Sequence, residues 1–292
     1  MKHKAAPYGL SVRKQTIARH FAHASDYDQH ANIQQQVCQQ LLENIAYAQQ
    51  NSVLEIGAGT GQMTRLLAAH LQSKRWLINE LGAQQTDTLQ SILPSVQALA
   101  QQFASVAIGD AETIDLGDQH SLIVSANAVQ WFDDPLNFIA QSATRLQVGG
   151  QLLFNTFTPE NFLQIKALTG QGLEYPTVNA WQLALDNAGF GQVKMTTRRF
   201  DLQFYRPYDV LKHMKLTGVS TNQTQKEAQS QTAIQTPGRT EIKPSTKPFI
   251  WTKSRLQQFE AGYWQQFAGQ DDNGQPCVTL TYEVLMVSAF KL

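Results

Sequence analysis

An apolar strand that runs straight into a glycine-rich loop constrains this chain more than any other feature: Val53-Leu54-Glu55-Ile56-Gly57-Ala58-Gly59-Thr60-Gly61. Glycines at 57 and 59 let the backbone take positive φ, and let a ligand lie against it without interference from a Cβ. The helix expected from near Gly61 turns its free N–H groups and positive dipole end toward the same crevice. Short apolar runs then alternate with helical stretches. Val53–Ile56 precedes Met63–Leu71, and Trp76–Ile78 precedes Thr86–Leu93. Ser105–Ile108 follows, then Leu122–Ser125 with Pro135–Leu146, and then Leu152–Phe157. This alternation predicts βαβ units and a mainly parallel sheet covered on both faces.

Two helical segments come first. Val12–His23 places Ile17, Ala18, Phe21 and Ala22 on one face, and Ile33–Ala48 repeats the spacing with Val37, Leu41, Leu42 and Ile45. Beyond Phe157 the pattern predicts a helix over Asn179–Gly189, a strand over Gln192–Phe204 and a helix over Pro207–Thr217. Ser220–Lys247 is polar, with Pro237, Gly238 and Pro244, and reads as a flexible connection or lid. An amphipathic helix over Arg255–Phe267 and a last strand over Cys277–Phe290 complete the reading. The expected organisation is therefore N-terminal helices over residues 1–50 that cover the site, and an α/β core over 51–204. A cap over 205–276 contains the flexible segment 220–247, and 277–292 returns to the core sheet.

No stretch approaches the ~20 apolar residues of a membrane span, and no apolar run follows the basic N-terminus, MKHKAAPYGLSVRKQ, as a secretory signal would require. Cys38 and Cys277 are far apart, which argues against a disulfide framework or zinc and for a cytoplasmic location. Formal charge is zero overall but uneven. From Arg198 to Arg255 eleven basic residues face four acidic ones, a net of +7. Clustered positive charge attracts anionic partners, and a merely solvated surface is the alternative reading.

The glycine loop differs from a dinucleotide fingerprint. G-x-G-x-x-G needs its third glycine inside the helix; here that glycine comes one residue early and Gln62 holds the helical position. Glu55 suits a ligand with a cationic amino group, and S-adenosylmethionine carries an ammonium and a carboxylate. Ribose recognition needs an acid at the end of the second strand, where Glu80 closes WLINE, followed by Leu81. At the end of the third strand comes Gly109-Asp110-Ala111-Glu112, where Asp110 can accept from an adenine amino group, the Ala111 N–H can donate to the ring, and Glu112 is expected to join them in binding the cofactor. Asn127 ends the fourth strand in the switch-point crevice, and Trp131 offers a flat surface for the acceptor or a core anchor. No nucleophile elbow, metal-binding histidine pair or P-loop occurs in the sequence, so no metal is expected. A carboxylate acceptor, already ionised at pH 7, needs no strong base; catalysis then reduces to positioning, desolvation and alignment, with no dedicated catalytic residue.

VLEIGAGTG, GDAE, SANAVQWFDD, GGQLLFNTFTPENF, YDVLKHMKLTGVS and LTYEVLMVSAFK together resemble the malonyl-ACP O-methyltransferase family of biotin synthesis. FAHASDYDQHANIQQQV at Phe21–Val37 extends the resemblance toward the N-terminus. It implies a class I methyltransferase fold, a Rossmann-like seven-stranded mostly parallel sheet with N-terminal helices and a helical cap before the last strand. It implies S-adenosylmethionine as cofactor, S-adenosylhomocysteine as product, and methylation of the malonyl carboxylate on the phosphopantetheine of acyl carrier protein. Neither nucleic acid nor membrane is expected as a partner. Through the same resemblance Tyr27 and Gln35 are expected to close over the cofactor. Because the carrier is acidic, Lys212, His213 and Lys215 are candidates to dock it or to hold the acceptor carboxylate. The rival readings are a class I methyltransferase for another small carboxylic acid, a quinone or a polyketide; an NAD-dependent oxidoreductase, which the early third glycine opposes; and a non-catalytic cofactor-binding protein.

Overall fold

The computed structural model describes residues 10–21, 32–99, 103–217 and 251–292. The described chain divides into two compact units: residues 1–161, 175–200 and 283–292, and residues 162–174 and 201–282.

In the first unit, helices α1 (Val12–Phe21) and α2 (Asn32–Glu43) precede strand β1 (Gln49–Ile56). Then follow α3 (Gln62–His70), β2 (Gln72–Glu80), α4 (Thr86–Leu99), β3 (Phe103–Ile108), β4 (His120–Ser125), α5 (Asn137–Arg145) and β5 (Leu146–Phe157). The chain continues through α6 (Leu163–Thr169), α7 (Val178–Asn187), β6 (Phe190–Phe204), α8 (Pro207–Leu216), α9 (Lys253–Phe267), β7 (Ala268–Gln270) and β8 (Pro276–Lys291). Seven strands, the number the sequence leads one to expect, lie in the order β3-β2-β1-β4-β5-β8-β6, with a short eighth beside β8. The neighbours from β3 to β5 pair in parallel, while β8 runs antiparallel to β5. The order reverses between β1 and β4, which opens a crevice at the carboxyl ends of those strands.

Several boundaries depart from the sequence reading, β5 among them, which starts at Leu146 rather than Leu152; those of β1, α2 and α4 are instructive. β1 starts at Gln49 rather than Val53, because its polar lead alternates and is satisfied: Gln50 Nε2 donates to Tyr47 O (2.7 Å) and Ser121 Oγ donates to Gln50 Oε1 (2.7 Å). α2 stops at Glu43 rather than Ala48. Gln151 takes over the polar groups of the exit, donating from Nε2 to Asn44 O (2.8 Å) and accepting from Ala46 N (3.0 Å). α4 runs on to Leu99 through Pro94, although that proline removes one hydrogen bond of the helix ladder. The eighth strand, β7, is three exposed residues hairpinned onto β8, and nothing in the sequence announces it.

The core of the first unit stacks Leu54, Ile56, Ile123, Leu152 and Leu285 from the sheet against Phe138, Ile139, Trp181 and Leu185 from α5 and α7. Rings of Phe132, Phe138, Phe154 and Trp181 follow one another at centroid spacings of 5.5, 5.3 and 5.2 Å, a geometry that adds to their area burial. The second unit has its own interior, with Phe259 and Tyr263 of α9 buried and the Tyr263 hydroxyl donating to Thr279 O at 2.9 Å. No helix among the described residues is long and apolar enough to cross a membrane.

Candidate active site

Beyond Ile56 the chain turns through Gly57, Gly59 and Gly61 at φ of 73, 55 and 80°, conformations that a side chain would strain. A Cβ on Gly57 would fall 2.4 Å from Ala128 Cβ, and one on Gly61 would fall 2.4 Å from Ile92 Cδ1. One on Gly59 would meet nothing within 4 Å, so there the backbone itself borders open space. Gly57 N and Ala58 N both donate to Asn79 O at 3.0 Å. The Asn79 Nδ2 donates to Ala107 O and Gly109 O, each at 3.0 Å, so one side chain ties the ends of β2 and β3 together beneath the loop. The resulting cleft, about 930 Å³ including its mouth, is walled by Gly57–Thr60, Glu80, Leu81, Asp110, Ala111 and Asn127. Trp131 and Phe132, and Lys14, Ile17, Phe21 and Cys38 from the first two helices, complete the wall.

The four acids of the sequence reading fall into different roles. Glu80 closes β2 at the cleft wall, accepting from Gly59 N at Oε2 (2.8 Å) and from Gly82 N at Oε1 (2.9 Å). Burial raises its pKa, and the backbone N–H groups of Gly82, Gly59 and Leu81 oppose that. Asp110 also lines the cleft, with Oδ1 accepting from Lys14 Nζ (3.1 Å) and Glu112 N (3.1 Å). Glu55 does not reach the wall. It is fully buried beneath the loop, where Thr64 Oγ1 donates to Oε1 at 3.0 Å, and Oε2 has no hydrogen-bond partner among the described residues. Burial, helped by the nearby charge of Glu80 and opposed by Thr64, pushes its carboxyl up to about 7. Glu112 does not line the cleft: it pairs with Lys14 through Oε2 and accepts from Asp133 N (2.8 Å) and Asp134 N (2.9 Å). Burial works against its charge, but these hydrogen bonds and the Lys14 ammonium prevail and hold its pKa below the usual range.

Asn127 sits at φ 55°, a left-handed conformation, where Asn155 holds both its backbone and its side chain. Its Nδ2 donates to Gln34 O of α2 at 3.3 Å. Trp131 lines the cleft and meets Phe21 edge to face at 5.6 Å. Gly61 shapes the turn without lining the cleft, Gln35 is exposed on α2, and Tyr27 and 220–247 lie outside the described residues. Lys212 and Lys215 are exposed on α8 in the second unit, and His213 Nε2 shares a 2.8 Å hydrogen bond with the Tyr282 hydroxyl. The sequence reading missed Lys14, Cys38, Asn79 and Gln85 as site residues. The polar Asn79 in the buried C-terminal end of a parallel strand is the signal that could have found one of them; Gln85 carries none. Carboxylates of Asp110, Glu112 and Asp133 converge within 4.8 Å, and each of the three is paired with Lys14 or Arg13.

A methyltransferase domain profile matches residues 28–194. A malonyl-[acyl-carrier protein] O-methyltransferase of Haemophilus ducreyi is 34% identical over 287 residues, covering 96% of this chain and 98% of its own. The chain belongs to the malonyl-[acyl-carrier protein] O-methyltransferase family. Another member, from Haemophilus influenzae, is 39% identical over 221 residues, 73% of this chain and 81% of its own. Among solved structures, geranyl diphosphate C-methyltransferase of Streptomyces coelicolor shares the fold, with a TM-score of 0.52 and 12% identity over 98% of this chain and all of that one. The fold is that of class I methyltransferases, and the chain is an O-methyltransferase by family.

Proposed function

We propose that this chain uses S-adenosylmethionine to methylate the free carboxylate of a malonyl thioester carried on acyl carrier protein. The observation that carries the cofactor is the convergence on one cleft of Gly57–Gly59, Glu80, Asp110 and Asn127. The residues present fit the group: Gly59 leaves its side of the loop open, and Oε2 of Glu55, buried and without a hydrogen-bond partner among the described residues, is an acceptor beneath it. Glu80 would accept from the ribose hydroxyls, Asp110 from the adenine amino group, and the Ala111 N–H would donate to the ring. The loop Gly57–Gly59 and Asn127 would hold the methionine part. Bound there, S-adenosylmethionine supplies a methyl group on a sulfonium. Phe21, Trp131 and Phe132 line the cleft and would keep water from a bound cofactor, which would strengthen the electrostatics of the polar wall. The acceptor oxygen is ionised at neutral pH, so the chain's task is alignment rather than proton removal.

The names of the relatives carry the acceptor. The second unit supports it independently: α8 buries Pro207, Val210 and Met214 and exposes Tyr208, Lys212 and Lys215 along one stripe. A basic stripe with an aromatic at its head suits the acidic surface of a carrier protein. A methylation assay with malonyl-carrier, malonyl-CoA and free dicarboxylates tests the reading. Carrier-bound malonyl should be preferred; methylation of a free acid, quinone or polyketide in its place would overturn it. Reversing charge at Lys212 and Lys215 should lower turnover on the carrier roughly tenfold and leave a short malonyl-pantetheine thioester unaffected.

A further inference from the structure

Lys14 lies on α1 with only 3% of its side chain exposed. A buried ammonium survives in a fold only with close, complementary partners. Lys14 has three: Asp110 Oδ1 at 3.1 Å, Glu112 Oε2, and the ring of Phe132, whose centroid is 5.1 Å away. The two carboxylates belong to the turn after β3, and Phe132 to the loop after β4. Glu112 extends the link, since the same carboxylate accepts from the backbone of Asp133 and Asp134. Arg13, one residue earlier, pairs with Asp133 and donates to Trp131 O at 3.1 Å. A third contact of α1, Phe21 against Trp131, is apolar. Two adjacent cations of one helix thus tie together the two loops that wall the nucleoside end of the cleft.

We infer that Lys14 is a positioning residue for the cofactor site: it orients the Asp110 carboxylate and, through Glu112, fixes the turn after β3 to the loop that carries Trp131. The inference rests on the reading that an adenosyl ligand occupies this cleft. Asp110 contributes a well-placed acceptor when α1 is docked, and a wandering carboxylate when it is not. Charge carries this role, so arginine at position 14 preserves most of it, while methionine keeps the length and apolar stem but loses the ammonium.

The test compares the whole chain as wild type, Lys14→Met, Lys14→Arg and Glu112→Gln, with S-adenosylhomocysteine binding by calorimetry and initial rates against the methyl donor. Lys14→Met should weaken binding and raise KM for the donor by roughly tenfold or more, with kcat held within about threefold. Lys14→Arg should recover most of the loss. Adding Glu112→Gln to Lys14→Met should cost little beyond Lys14→Met alone, because the two groups act as one unit. Amide exchange without ligand should show residues 110–112 and 131–134 losing protection in Lys14→Met while the strands β4 and β5 keep theirs. Affinity unchanged in Lys14→Met overturns the inference; so does a loss spread evenly over all strands, which marks a purely structural residue. If the wild type itself fails to bind S-adenosylhomocysteine, the reading of the cleft falls and this role of Lys14 with it, and the exchange pattern alone then reports whether the ion pairs hold the loops.

Discussion

Replacing Glu55 by glutamine should make the ligand-free fold more stable, and by an amount that depends on pH. The carboxyl is buried beneath Gly57–Gly59 with one oxygen bonded to Thr64 and the other unpartnered among the described residues. Its titratable neighbours are Glu80 of β2, whose charge opposes its ionisation, and Cys38 of α2, whose thiol burial pushes up to about 12 and so stays neutral. In the unfolded chain Glu55 releases its proton near the ordinary 4.5; in the fold it does so near 7. Between those values the fold keeps a proton that the unfolded chain has lost, so stability falls as pH rises through the window and levels off above it. At roughly 1.4 kcal/mol for each tenfold difference in proton affinity, the full loss is on the order of 3 kcal/mol. Glutamine has no such ionisation. Denaturant titrations of wild type and Glu55→Gln at closely spaced pH values should show curves that diverge from about pH 5 and run parallel above about pH 8. An ammonium brought near the carboxylate offsets the cost of its charge, so saturating S-adenosylhomocysteine, whose amino group is protonated, should narrow the gap. Parallel curves across the whole range would refute the burial argument, and so would a wild type that gains stability relative to the variant.

Gly57→Ala drives a Cβ to within 2.4 Å of Ala128 at a positive φ, and should cost about 2 kcal/mol or more of stability and abolish cofactor binding, read by thermal melts and calorimetry. Glu80→Ala strips the acceptor from Gly59 N and Gly82 N; S-adenosylhomocysteine affinity should fall roughly tenfold to a hundredfold. Thr177→Ala removes the side chain that accepts from Ala180 N at the start of α7; stability should drop by about 1 kcal/mol with cofactor affinity unchanged, which separates helix capping from site effects.

Periodicity made the strand–helix alternation readable because each parallel strand is a short apolar run bounded by turn residues. It failed where polar groups are satisfied by partners remote in sequence. The Gln49–Ser52 lead of β1 depends on Ser121, and the end of α2 on Gln151. α6 left no trace because its first turn starts from Phe162 in a left-handed conformation, with no side-chain cap to mark it. At the site, the glycine loop, Glu80, Asp110 and Asn127 were legible because motif spacing places strand ends side by side. Glu55 and Glu112 were assigned to the ligand on the same logic, yet the structure gives one to the floor and the other to the link with α1. No local pattern distinguishes a carboxylate that faces a cleft from one that faces Thr64 or Lys14. Lys14 itself lies ninety-six residues from Asp110, and a lone lysine on a helix face otherwise reads as solvated.

The position of β8 between β5 and β6 bears on how the molecule is made. β5 emerges from the ribosome long before the residues that will sit beside it, since Phe157 waits for Val284. Until then β5 is an unsatisfied outer edge of the nascent sheet, the kind of surface that recruits stray strands. Changes that slow or truncate residues 283–292 should therefore show first as lost yield and aggregation in the cell, with the cleft residues themselves untouched.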